Sequence, residues 1–240
     1  TVHDCRRNAL YFTESAGAPR CVSVVYDRGA SSATALAPDD LTAEVFDGAA
    51  AAVVSGITPA LSPSCRAATE RFVELAVAAG VQVVLDVKYR ARLWEPDVAA
   101  AVLEPLCRSA STVLCSSEDA RHVFGVGGTT AVRTAALSTR LATQVVVTDG
   151  ADGVAWSGPR GGSAPAISTD TWDRIGAGDA FCAGVVDGLL DDNLELGIRR
   201  GQAMASLKRT MAGDCFLGTR SDVDRVLALV DGNEGRAVQR

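Results

Sequence analysis

Residues 173–181 read DRIGAGDAF, two glycines and two carboxylates packed in front of an apolar run. Gly176 and Gly178 bracket Ala177 just ahead of the stretch 180–190, so the chain is expected to turn there and enter a helix. The first amides of a helix have no partner within it and carry partial positive charge, which makes its mouth a seat for anions. Asp179 falls in the first turn, where the dipole favours a carboxylate and where it could take a proton from a hydroxyl. An ordinary turn followed by a first-turn acid would look the same. These nine residues alone leave both readings open.

Upstream of this stretch, β-branched runs alternate with helical patterns. CVSVVY at 21–26 and AAAVVS at 50–55 read as strands, and a helix follows from about Ser62 to Ala79. Ser62 or Ser64 can cap its start, Phe72, Val73 and Ala76 share one face, and Gly80 suits its end. VQVVLDV at 81–87, STVLC at 111–115 and QVVVTD at 144–149 read as buried parallel strands, with helices expected over 97–107 and within 118–137. After Gly150 the texture changes to hairpin and loop, and the last third reads as helices over 177–190, 194–211 and 221–230, with a polar tail from 231. Such alternation calls for an α/β fold, a central, mostly parallel sheet with helices on both faces, in one domain covering 1–240. Ligands of such sheets gather beyond the carboxyl ends of the strands. The polar clusters at 86–90, 115–119 and 149–153 each stand where a strand should end.

Composition narrows the function. With 240 residues, 48% hydrophobic and 22% charged, the chain can bury a sizeable core. A net charge of -6 gives no field to attract a nucleic acid, and the apolar runs are too short to cross a bilayer. Seven cysteines, never spaced as CxxC, point to no disulfide framework or zinc site, so they read as small buried hydrophobes in a reducing cytoplasm. The two histidines, His3 and His122, cannot form a zinc cluster. Walker, dinucleotide and GxSxG patterns are missing, and phosphoryl transfer to a small polar substrate gains by elimination.

DRIGAGDAF closely resembles the signature of the ribokinase-like (PfkB) sugar kinases. NALYF (8–12), YDRGASSA (26–33), SGITPALS (55–62), DVKYRARLW (86–94) and AGD (212–214) are similar to the 2-keto-3-deoxygluconate kinases within that family. The resemblance implies ATP and Mg²⁺ as cofactors and phosphorylation of 2-keto-3-deoxygluconate at O6; a cytoplasmic location and a homo-oligomer are further expectations. It makes Asp179 the general base, gives the amides of Gly176, Ala177 and Gly178 the developing negative charge, and puts Tyr11, Arg28 and Arg90 against the sugar acid. Gly150, Gly153, Ser116 and Asp173 fall beside the nucleotide, and Asp119 near the metal. Lys88 stands where the family usually has Asn, and Ser116 to Asp119 replace its N-x-x-E element. Compared with the family pattern, the chain is expected to begin partway through, after the first strand and the Gly-rich substrate region. Another PfkB sugar kinase, of ribokinase or fructokinase type, and a non-catalytic remnant are the alternatives.

Overall fold

A computed structural model of the chain describes residues 5–14 and 23–232. His3, Cys21, the first residues of the CVSVVY run and the tail from 233 onward lie outside the described residues. The chain divides into two compact units, Thr1–Ala164 and Pro165–Arg240.

The first unit opens with β1 (Leu10–Glu14) and β2 (Ser23–Asp27), which pair antiparallel as a sheet of their own. The strand expected near 21–26 is therefore present but does not belong to the parallel sheet. A parallel partner needs a long crossover, usually a helix. Between β2 and the next strand the chain forms only short 3-10 turns, Ser32–Ala35, Pro38–Asp40 and Ala43–Phe46.

The main sheet follows the expected alternation. β3 (Ala51–Ser55), α1 (Pro63–Ala78), β4 (Gln82–Asp86), α2 (Pro96–Ser109) and β5 (Thr112–Ser116) come first. Then come α3 (Ser117–His122), α4 (Thr130–Leu141), β6 (Gln144–Thr148), β7 (Val154–Trp156) and β8 (Gly162–Ala164). The strands lie in the order β3-β4-β5-β6-β7-β8, with β3 to β6 parallel and the last two antiparallel. Register places Val54, Leu85, Val113 and Val145 in one row across the four parallel strands, packed in the same core as Val73 of α1, Leu103 of α2 and Leu137 of α4. Val84, Leu114 and Val146 on the opposite face are buried too. Both faces are covered, as continuous apolar strand runs require. Each fully buried Val or Leu contributes roughly 1.5–3 kcal/mol. Ser62 caps α1 by accepting the amide of Cys65 at 3.1 Å.

The second unit holds α5 (Ala177–Leu190), α6 (Leu194–Arg209) and α7 (Arg220–Val230). Glycine sets how closely the first two approach. A Cβ on Gly184 would lie 2.4 Å from the Cα of Gly201, and one on Gly188 would lie 2.1 Å from the Cα of Gly197. Backbone thus packs on backbone, and α6 holds α5 along its axis. Among the described residues, no helix is long and apolar enough to cross a membrane.

Candidate active site

In the second unit, the DRIGAGD turn is clamped to the segment following α6. Asp173 is buried, and its carboxylate accepts the amides of Ile175 at 3.0 Å and Gly213 at 3.2 Å. The amides of Trp172 and Asp173 both donate to the carbonyl of Arg209, at 2.7 and 3.1 Å. Gly176 is left-handed (φ 80°), and any Cβ there would fall 1.9 Å from the carbonyl oxygen of Asp214. Glycine is obligatory on both counts.

This turn delivers α5 with Gly176 as its N-cap and no side chain capping it. The Ala177 amide makes a 3.3 Å bond to the carbonyl of Arg174, so it is partly used within the turn, while the Ala180 amide closes the first helical bond onto Gly176. Gly178 and Asp179 are exposed, and a Cβ on Gly178 would meet nothing within 4 Å. The mouth therefore combines open backbone, a positive dipole end and an accessible carboxylate, which suits a phosphoryl group beside a hydroxyl.

One helical turn beyond Asp179, Ala183 borders a cavity of about 360 Å³ that Met204, Phe216, Gly218, Arg200 and Val223 also line. Its walls combine apolar and aromatic side chains with the Arg200 and Arg220 guanidiniums, both paired with the Asp187 carboxylate, a mixture suited to a flat, polar-edged ring. The sequence reading missed this cavity because its lining comes from three separate segments.

In the first unit, charged groups collect after the parallel strands. The amide of Gly56, next after β3, donates to the carbonyl of Asp86 at 2.8 Å, and a Cβ on Gly56 would fall 2.0 Å from the carbonyl oxygen of Val87. Lys88 pairs with Asp86 at 3.3 Å and takes φ 39°, a region that costs most L residues about 1–2 kcal/mol but that Asn tolerates. That conformation gives a physical reason for Asn at this point of the pattern.

Arg90 is exposed, bonded through Nη1 to the carbonyl of Tyr89 at 2.8 Å. Ser116 is the N-cap of α3, accepting the amide of Asp119 at 3.0 Å. Burial pushes the Asp119 carboxyl above the usual carboxylate range, opposed by the Ser116 hydroxyl, the nearby Arg90 guanidinium and the Tyr89 amide. Arg90, Ser116 and Asp119 are therefore brought together. Among the described residues, no group of three or more His, Cys, Asp or Glu side chains could hold a metal ion by itself.

Asp149 is engaged structurally. Its carboxylate accepts Thr130 Oγ1 at 2.9 Å and Arg133 Nη1 at 3.1 Å, and the same nitrogen donates to Ser117 at 3.0 Å. Gly150 and Gly153 take φ 55° and 96° in the tight connection from β6 to β7, where the Asp149 amide donates to the Gly153 carbonyl at 2.8 Å. On the small sheet, Tyr11 and Tyr26 face each other at 6.1 Å between ring centroids, and the Arg28 guanidinium lies 3.9 Å over the Tyr26 ring. Tyr11 and Arg28 thus share one neighbour. Of the cysteines, Cys65, Cys107, Cys115 and Cys182 are buried as expected, but Cys5 and Cys215 are exposed. Both sit in irregular segments outside the helices and strands.

The pattern of the pfkB family carbohydrate kinases matches residues 2–219. The chain belongs to that family. Its relatives include the 2-dehydro-3-deoxygalactonokinase of Haloferax volcanii, 36% identical over 227 residues that make up 93% of this chain and 71% of that one. The 5-dehydro-2-deoxygluconokinase of Shouchella clausii is 29% identical over 82% of this chain, which spans 62% of that protein. The crystal structure of the 2-dehydro-3-deoxygluconokinase of Thermotoga maritima superimposes with a TM-score of 0.84 at 25% identity, covering 92% of this chain and 72% of that one. The fold is ribokinase-like, and the protein is a pfkB sugar kinase close to the 2-dehydro-3-deoxy-gluconokinases and galactonokinases. Membership in this family carries ATP use with it.

Proposed function

We propose that the protein transfers the γ-phosphoryl group of ATP to O6 of a 2-keto-3-deoxy sugar acid, 2-keto-3-deoxygluconate or its galacto epimer. The observation that carries this is the uncapped, glycine-fixed mouth of α5 with Asp179 exposed in its first turn. In the reaction the substrate O6 forms a bond to Pγ as the bond from Pγ to the ADP oxygen breaks, and the O6 proton passes to the Asp179 carboxylate. Little covalent chemistry is needed from the protein, so alignment and charge stabilisation dominate. The amides of residues 176–178 would face the charge that develops on the transferred group, with Gly178 the most open of the three.

The cavity bordered by Ala183, Met204 and Phe216 would take the adenine ring. Mg²⁺, when bound, neutralises charge on the phosphates, and Asp119 with Ser116 would support it. Arg90 would hold the substrate carboxylate with the paired donors of its fork, and Arg28 and Tyr11 would complete the sugar contacts.

The 5-dehydro-2-deoxygluconokinase relative favours a second reading, a kinase for another deoxy sugar acid. ATP consumption on 2-keto-3-deoxygluconate, 2-keto-3-deoxygalactonate, 5-dehydro-2-deoxygluconate, ribose and fructose separates them. The proposal expects one or both 2-keto-3-deoxy acids to lead by at least tenfold in kcat/KM. A preference for ribose or fructose would overturn it.

A further inference from the structure

Among the described residues, the largest side chain that is completely buried is a cation. Lys208, in the last turn of α6, has no exposed surface, and its Nζ donates to the carbonyl of Met211 at 3.1 Å. An ammonium withdrawn from water is costly unless oxygen atoms replace its hydration, so a lysine in this position implies a use for the charge. Its partner carbonyl begins the segment 211–214. That segment gives the Gly213 amide to Asp173 and sets the Asp214 carbonyl against Gly176, the N-cap of α5.

We infer that Lys208 is a positioning residue for phosphoryl transfer: its buried ammonium anchors the 211–214 segment, and through Asp173 and Gly176 that segment fixes the mouth of α5. The ammonium supplies the positive charge that draws the Met211 carbonyl inward. Without that anchor the Gly213 amide and the Asp214 carbonyl lose their registration with the DRIGAGD turn, and the first turn of α5 drifts from the geometry that the transition state requires. Sub-ångström placement of such donors weighs more heavily on turnover than on substrate affinity.

The inference rests on the proposed kinase activity only for its kinetic arm. Lys208→Met keeps the length of the stem and removes the charge. In hydrogen exchange of the whole protein, the amides at 173–179 and 211–215 should exchange at least tenfold faster in this variant than in wild type, while those of β4 to β6 stay unchanged. With 2-keto-3-deoxygluconate and ATP, kcat should fall at least tenfold with KM for the sugar acid within about threefold. Ammonium chloride, but not tetramethylammonium chloride, should restore part of the turnover of Lys208→Ala, whose vacated space can admit the small cation.

Wild-type exchange and wild-type kcat in Lys208→Met would overturn the inference, as would a loss in Lys208→Ala that ammonium fails to relieve, since packing alone would then explain the lysine. Should the wild-type protein phosphorylate none of the sugar acids, the proposed function fails separately, and the exchange rates still decide the role of Lys208.

Discussion

The strand ends of the first unit and the helix mouth of the second are built from different materials. Around Asp86, Lys88, Arg90 and Asp119 the working groups are side chains, held by one another across connections that tolerate a left-handed lysine. Around Gly176 and Asp179 the working groups are mostly backbone, held by Gly176, which no other residue can replace, and by a buried aspartate. Side chains can be exchanged one at a time, so the first region suits substrate choice. Backbone donors cannot be exchanged without moving the chain, so the second suits the step common to a whole family.

The comparison breaks most visibly at the two glycines of the mouth. Gly176→Ala forces a contact of 1.9 Å and a left-handed alanine, and should cost more than 10²-fold in kcat together with a lowered melting temperature. Gly178→Ala meets nothing within 4 Å and should melt like the wild type while losing ATP turnover, because the added methyl occupies space left for the phosphate. Equal melting losses in both would show that the mouth is ordinary packing.

Arg90→Ala should raise KM for the sugar acid about 10- to 100-fold with kcat much less changed, the cost of a lost charge-assisted pair. Steady-state kinetics with the acid varied at saturating ATP checks this. Smaller still is the strain at Lys88. Lys88→Gly and Lys88→Ala lose the same ion pair, so their difference isolates the backbone, and urea unfolding should find the glycine variant more stable by about 1 kcal/mol. A more stable alanine variant would mean that φ 39° carries no cost.

The last effect is pH-dependent. Because the Asp119 carboxyl is raised by burial, the native chain binds more protons than the unfolded one between the ordinary value of 3.8 and the raised value. Stability contributed by the neutral acid is present below that window and lost as pH rises through it. Asp119→Asn should therefore gain on the wild type in urea unfolding as pH climbs from 4 to 7, and a constant difference would contradict the burial argument.

Much of the sheet was legible in the residues because β-branched runs at 81–87, 111–115 and 144–149 have no other stable destination than a doubly covered strand. The helices declared themselves through Ser62, Gly80 and the apolar spacing of 177–190. The separate β1–β2 sheet was not legible, since LYFTE and SVVYD look like any strand and their detachment depends on the short turns that follow. At the site, the reading of residues 173–179 came from local chemistry and resemblance. Lys208 and the Ala183–Met204–Phe216 cavity stayed hidden because burial and the meeting of distant segments leave no local pattern. Asp149 stands in a polar cluster at a strand end, and its tie between α4 and β6 is a role that only its partners Thr130 and Arg133 reveal.

The most direct test of the account is Asp179→Asn, with turnover of 2-keto-3-deoxygluconate and calorimetric ATP binding measured on the same preparation. Loss of the general base predicts a kcat at least about 10²-fold lower with ATP affinity within about threefold of wild type. Wild-type turnover in that variant would contradict the assignment of Asp179 as the base and, with it, the catalytic reading of the α5 mouth.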